Sequence, residues 1–393
     1  MLHGDTPSSE AWLERLVGFD TTSDLSNLAL IEAVADFLAD HGIDVRLDHN
    51  EQGSKANLFC SIGGAEPGGV ALSGHTDVVP VAGQDWTSDP FKMVERDGRL
   101  VGRGTADMKG FIACALAAVP AFANADLKMP LHLVLSYDEE VGCQGVGSMI
   151  DLLGRELPKP AIAIIGEPTE MTVVNAHKGI GSGITRITGK ACHSSQPQEG
   201  VNAITAAGHL ILELGRIQED LKISALETSQ GQSDEYEPPY TTVNPGKISG
   251  GRAVNIIPAE ARLDWDCRVV PGDHVSRVAE RLQAYAEREL LPGMRERAPE
   301  ADIRSSIKVD VAPLAPEPGS AAEELALHLT GLNRSRTVAY ATEAGLFQNH
   351  GISAIVCGPG SINQAHRPDE FITRGQLREC EAFLAKLLDW MSR

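Results

Sequence analysis

The feature that most constrains this chain is a recurring arrangement in which an apolar run ends on a histidine or a carboxylate. It is densest between Val70 and Glu140. There GGVALSGHTDVVP ends on His75-Thr76-Asp77, GRGTADMKG carries Asp107, and LHLVLSYDEEVG ends on Glu139-Glu140. Strand ends in an open α/β sheet are where ligands bind, because loops leaving a rigid sheet converge there. The chain is therefore expected to build a sheet whose polar strand ends meet. Imidazole together with carboxylate suits zinc, cobalt or manganese, and metal-assisted hydrolysis is the reaction class to test first.

At 393 residues the chain is too long for one ordinary core, so at least two domains are expected. A formal charge of -20 argues against nucleic acid or an anionic membrane as a natural partner. The seven cysteines contain no CxxC pair. Cys60, Cys114, Cys267 and Cys380 fall in apolar or amphipathic runs, as small buried thiols do in a reducing cytoplasm. The opening MLHGDTPSSEAWLERL lacks the basic-then-apolar order of a secretory signal. No stretch approaches the ~20 apolar residues of a membrane span, and a cytoplasmic location is expected.

Apolar periodicity predicts a helix from Glu10 to about Phe19, capped by Ser9, and a longer one ending at His41-Gly42. Asn57–Ile62 and Val70–Ser73 read as strands, and Ile43–Leu47 as a further apolar segment. Met108 to about Phe122 is apolar nearly all round, the pattern of a buried helix, with Pro120 expected to kink or end it. Strands at Leu131–Tyr137 and Ala161–Ile165 flank a short helix at Val146–Leu153. Helices alternating with fully apolar strands predict a largely parallel, helix-covered sheet. After Thr169 the texture changes. A partly alternating strand (Ile180–Ile187), an amphipathic helix (Asn202–Leu221), a polar loop (Glu227–Pro239), two strands (Tyr240–Ile248 and Ala261–Val269) and a helix to about Leu291 read as a small inserted α+β domain. The expected division is 1–178 and 293–393 for the first domain and 179–292 for the insert. The C-terminal third must complete the first sheet, since neither part reads as a finished domain alone.

His75 and Asp77 stand two apart after an apolar strand, a spacing that points both side chains the same way in an extended segment. One would bind a metal while the other fixes the imidazole ring. His75 alone would read as a satisfied core histidine, and its coupling to the later motifs reverses that reading. Asp107 precedes the apolar helix, where it serves either as an N-cap or as a bridge between cations. Glu139 and Glu140 are adjacent and point in different directions, so one can bind metal while the other accepts a proton. Glu167 in IIGEPTE ends another apolar strand, and His366 lies in GPGSINQAHRPDEF. This set suffices for two cations about 3.5–4 Å apart.

GHTDVVP, GRGTADMKG, YDEEVG, IGEPTEM and GPGSINQAHRPDEF, in this order and spacing, resemble the M20 family of binuclear metallohydrolases over essentially the whole chain. The resemblance implies an α/β, zinc-aminopeptidase-like catalytic domain with an inserted α+β lid or dimerisation domain. It implies amide hydrolysis on small acylated amino acids or dipeptides, with two divalent ions, zinc first and cobalt or manganese also accommodated. It implies that His75 and Glu167 ligate one ion, that Glu140 and His366 ligate the other, and that Asp107 bridges them. Asp77 would orient His75, Glu139 would be the general base, and Asp107–Met108 is a candidate cis bond. In the insert, GKACHSS places His193, which by resemblance crosses a homodimer interface to stabilise the partner subunit's oxyanion. ISGGRAVNIIP places Arg252 and Asn255, expected to hold a substrate carboxylate or acyl oxygen.

Within the family, NAHKG, GKACHSSQPQEGVNAI, AYATEAGLF and CGPGSINQAHRPDEFI are most similar to members that deacetylate N-acetyl-L-ornithine in arginine biosynthesis. Arg252 suits that substrate's α-carboxylate. Glu343 would attract its ammonium if the loop faces the pocket, and otherwise reads as an ordinary first-turn helix acid. Desuccinylation of N-succinyl-diaminopimelate remains an alternative, although Thr342-Glu343-Ala344 stands where that branch carries serine–aspartate–glycine. A broader N-acyl-amino-acid hydrolase, a dipeptidase and a metal-free binding protein also remain open.

Overall fold

The structure is a computed structural model that describes residues 7–228 and 236–393. It separates into two units. One comprises Met1–Ala176, Leu314–Arg336 and Thr342–Arg393, and the other His177–Pro313 with Thr337–Ala341.

The first unit is built on an eight-stranded sheet. Its order is Val45–His49, Ala56–Ile62, Leu131–Ser136, Val70–His75, Ile162–Ile165, Ser353–Val356, Val174–His177 and Arg336–Val338. The central strands are parallel: Val70–His75 pairs in that sense with Leu131–Ser136 and Ile162–Ile165, and Ser353–Val356 with Ile162–Ile165. Val45–His49 and Ala56–Ile62 join antiparallel, as does Val174 against Val356, so the sheet is mixed towards its flanks. Val70–His75 and Leu131–Ser136 are buried at every position, which is why they read as unbroken apolar runs rather than alternating ones.

The all-apolar helix runs from Lys109 to Ala123 and packs between the helices Ser9–Val17 and Arg374–Met391. It continues one turn past Pro120, at the end expected to break there. The first helix is capped by Ser8, whose Oγ accepts from Ala11 N; Ser9 is already helical and reaches Glu381. Trp12, Leu72, Phe111, Leu133 and Phe383 belong to one continuous core.

The second unit has the order strand, helix, strand, strand, helix, strand. Its antiparallel sheet runs Thr242–Gly250, Glu260–Val269, Gly179–Thr188, Asp302–Val311. The helices Ala203–Thr228 and Val275–Tyr285 pack on the sheet and on each other. Burial along Glu260–Val269 alternates, with Ala261, Leu263, Trp265, Cys267 and Val269 facing this second core. Residues 293–313 were expected in the first domain. Asp302–Val311 instead pairs antiparallel with Gly179–Thr188, so the insert extends to Pro313. An apolar strand does not announce which sheet it joins. The polar loop expected at 227–239 falls largely outside the described residues. Among the described residues no helix is long and apolar enough to cross a membrane.

Candidate metal centre

The parallel strands Val70–His75 and Leu131–Ser136 stop side by side, with His75 opposite Ser136 in register. Asp77 and Glu139-Glu140 therefore emerge from neighbouring strand ends. Glu167 follows the next strand, Ile162–Ile165, just past Gly166. At Gly166 a Cβ would stand 2.0 Å from the Phe111 ring, so only glycine lets this segment lie flat on the buried helix. Asp107 precedes that helix through a cis Asp107–Met108 peptide, and His366 arrives from the late loop with φ 62.

These residues converge. His75 Nε2 lies 3.1 Å from Asp107 Oδ1 and 3.7 Å from Glu167 Oε1. His366 Nε2 lies 2.9 Å from Glu140 Oε2 and 3.4 Å from Asp107 Oδ2. Asp107 thus turns one carboxylate oxygen toward each histidine, with Glu167 on the first side and Glu140 on the second. Donor atoms of His75, Glu139 and Glu167 lie within 4.8 Å of one another, as do those of His75, Asp107 and Glu140.

The ring of His75 has a defined orientation. Its Nδ1 is 2.9 Å from the Asp77 carbonyl oxygen, which can only accept, so Nδ1 carries hydrogen and Nε2 faces the cluster. The Asp77 carboxylate is more distant, with Oδ1 at 3.6 Å. It accepts instead from the backbone N–H of Glu139 at 3.1 Å, the N–H of Glu140 at 3.2 Å and the Ser23 hydroxyl at 2.8 Å. The strand ends at His75, so strict alternation no longer governs Asp77. Asp77 holds the ring through its backbone and the two glutamates through its side chain.

The electrostatics are those of an acid cluster in need of a cation. Burial, then the charge of Asp107, pushes Glu167 well above the usual carboxylate range, and the same two causes raise Glu140. Burial likewise raises Glu139 well above its ordinary value, against attraction to His75 and with repulsion from Glu140, Glu343 and Asp107. Asp107 is lowered: against burial, its hydrogen bonds to His366 and His75 prevail. Burial also opposes charge on His75, but Asp107, Asp77, Glu167 and Glu139 together raise it well above its ordinary value. Hydrogen bonds to Asp107 and Glu140 raise His366 to about 10. Nitrogen and oxygen donors that satisfy one another only by sharing protons are the donor set a divalent cation replaces those protons in. The residues fit such a group.

Two further residues border the cluster, of which only Cys143 had no signal in the sequence. Cys143 is 7% exposed and its Sγ donates to Glu139 Oε1 at 3.3 Å. Glu343, expected either to attract an ammonium if its loop faces the pocket or to be a first-turn helix acid, stands at the start of helix Ala344–Asn349, is 1% exposed and lies by the hydroxyls of Ser136 and Ser73. Burial raises it to about 7, against Ser136 and His75. Its place is in support of the strand ends.

His193, Arg252 and Asn255 lie on the second unit and are exposed. Cys192–His193 pairs antiparallel with Ile256–Ile257, and Ser194 N donates to Asn255 O at 3.0 Å, which brings His193 and Asn255 to one short ribbon. Arg252 lines a groove of about 750 Å³ on the same unit, with Arg186, Ile256 and Arg262 among its walls.

A helix-covered sheet with this donor set at its strand ends is the build of a metal-dependent hydrolase. The chain belongs to Peptidase family M20/M25/M40, whose pattern matches residues 71–390. It is an M20 hydrolase: a mixed α/β catalytic fold with an inserted α+β domain. It is 37% identical to the acetylornithine deacetylase of Myxococcus xanthus over 386 residues, covering 97% of this chain and 96% of that one. A tripeptidase from Staphylococcus aureus superposes with a TM-score of 0.73 at 19% identity, covering 99% of each chain. A dinuclear metal-binding M20 peptidase from Bacillus subtilis gives 0.62 at 18% identity, covering 97% of this chain and 99% of that one.

Proposed function

We propose that this chain hydrolyses N-acetyl-L-ornithine to acetate and L-ornithine, as a step of arginine biosynthesis in the cytoplasm. The observation that carries the chemistry is Asp107, with one oxygen turned to His75 and the other to His366. Support for the substrate comes from the near full-length likeness to the Myxococcus xanthus deacetylase.

His75 and Glu167 would hold one divalent cation and Glu140 and His366 a second, with Asp107 shared. The donors accept zinc, and cobalt or manganese equally suit them. When bound, such a pair supplies Lewis acidity to the amide carbonyl and to the attacking water. Glu139 takes the water's proton on its carboxylate and returns it to the leaving amine nitrogen. Its raised affinity for protons suits a group that must hold one between the two transfers. The thiol of Cys143 occupies Oε1 and leaves Oε2 for this exchange. Asp77 keeps Glu139 and Glu140 in register by holding both backbone N–H groups.

From the second unit, Arg252 clamps the α-carboxylate and Asn255 donates to the same end of the substrate. His193 completes the oxyanion site of a partner subunit. A homodimer through this unit is supported by its open sheet edge at Thr242–Gly250 and by the exposed Ile248, 48%, and Val254, 104%.

The test is steady-state hydrolysis of N-acetyl-L-ornithine beside N-succinyl-L,L-diaminopimelate and N-acetyl-L-methionine, on metal-loaded and chelated protein. The expected result is a large preference for acetylornithine that chelation abolishes. A flat profile would replace this substrate with a broad deacylase, and chelator-resistant turnover would remove the cations from the chemistry.

A further inference from the structure

Two segments far apart in sequence, GRGTADM and HRPDEF, supply Asp107 and His366, and a single carboxylate outside the donor set fastens them together. Glu370 is 1% exposed. Its Oε2 accepts from Arg103 Nη1 at 2.7 Å and from Gly104 N at 3.0 Å. Its Oε1 accepts from Ala106 N at 2.9 Å and from Asp107 N at 3.0 Å. All four partners are donors, and together they saturate an ionised carboxylate. The Glu370 carbonyl also accepts from Gly102 N at 2.9 Å. The loop carrying Asp107 is therefore wrapped around a side chain that stands four residues after His366.

Arg103 closes the arrangement from the other side. It is 1% exposed, its guanidinium lies over the Trp86 ring at 5.0 Å, and its Nη2 donates to Gln84 Oε1 at 2.5 Å. Gln84 Nε2 in turn donates to the His366 carbonyl at 3.1 Å, and Arg103 Nη1 reaches the Arg367 carbonyl at 3.3 Å. Asp107 and His366 are thereby tied by two routes, one through Glu370 and one through Arg103 and Gln84.

We propose that Glu370, seconded by Arg103 and Gln84, is a positioning residue that holds Asp107 in fixed relation to His366 and so sets the affinity of the site for divalent cations. This rests on the metal reading of the cluster. The geometry demands an acceptor at every contact. Glutamine would turn an amide NH2 toward two donors, and aspartate is one methylene too short to span Arg103 and the three backbone N–H groups together.

The experiment is zinc titration of the metal-free full chain against a chromophoric chelator, for wild type, Glu370→Gln and Glu370→Asp, with thermal unfolding of the same metal-free samples. Glu370→Gln is expected to weaken zinc binding about 10–100-fold, the range seen when groups that orient metal ligands are replaced. Glu370→Asp should fall between it and wild type. Wild-type affinity in Glu370→Gln, with or without a lowered unfolding temperature, would overturn the positioning role and leave the metal reading intact. A wild-type chain that binds no zinc would overturn the metal reading itself. Should Glu370→Gln fail to fold, Gln84→Ala at the exposed side of the network is measured instead. A smaller loss of zinc affinity supports the tie, and an unchanged affinity overturns it.

Discussion

The two units hold their chemistry in opposite ways. In the first, His75, Asp77, Asp107 and Glu167 are buried; the Asp77 carbonyl holds the His75 ring, the backbone N–H groups of Glu139 and Glu140 hold the Asp77 carboxylate, and the Glu370 carboxylate holds the Asp107 N–H. In the second, His193, Arg252 and Asn255 stand exposed on short turns and a two-residue ribbon. Side chains fixed in this way hold their directions before any ligand arrives, while the acids they bring together still call for a cation. Exposed groups gain direction when a substrate or a second chain covers them. On the proposed function, bond-making chemistry would fall to an anchored part and recognition to an exposed one.

The division can be broken most sharply at Glu139. Glu139→Gln removes the proton acceptor from the anchored cluster, and turnover should fall by about 10²–10⁴-fold with zinc affinity nearly kept. Turnover near wild type would move the proton transfer elsewhere. A lesser effect is expected for Arg252→Ala. A charge-assisted contact to a carboxylate is worth about 1.5–3 kcal/mol, so kcat/KM should drop about 10–100-fold, chiefly through KM. An equal fall in kcat with KM unchanged would place Arg252 in the reacting centre and erase the contrast between the units.

The smallest effect sharpens the comparison from within. His177 opens the second unit, is fully buried, and burial lowers its pKa to about 4. A histidine depressed in the folded state stabilises the fold above its unfolded pKa, near 6.5, and that contribution is lost as pH falls toward about 4. Between about pH 7 and about pH 5.5 the loss should be on the order of 1 kcal/mol. Chemical denaturation at the two pH values, for wild type and His177→Gln, checks it. A slope that survives the substitution would assign the acid sensitivity to other groups.

Much of the first unit was legible because its signals are local. Buried parallel strands are apolar without interruption, so their polar ends stand out, and His75, Asp107, Glu139, Glu140, Glu167 and His366 all sit at such ends or in glycine-rich loops beside them. What escaped was relational. Glu370 lies within the His366 motif itself, yet nothing in its neighbours says that its carboxylate faces Gly104, Ala106 and Asp107. Glu343 reads equally as a helix-start acid or a substrate contact, and its burial beside Ser73 and Ser136 had no signal in the sequence. The boundary near Pro292 failed for the same reason: Asp302–Val311 has strand character wherever it pairs, and its partner is Gly179–Thr188.

The strand Ser353–Val356 lies between Ile162–Ile165 and Val174–His177, well inside the larger sheet. During synthesis that sheet keeps a gap until Ser353–Val356 has left the ribosome. The insert, complete by Pro313 apart from Thr337–Ala341, can reach its own fold earlier. The insert's own sheet can therefore form while His366, which follows Ser353–Val356 in the chain, has yet to join the acid cluster. The donor set therefore comes together only after the gap in its sheet has been filled.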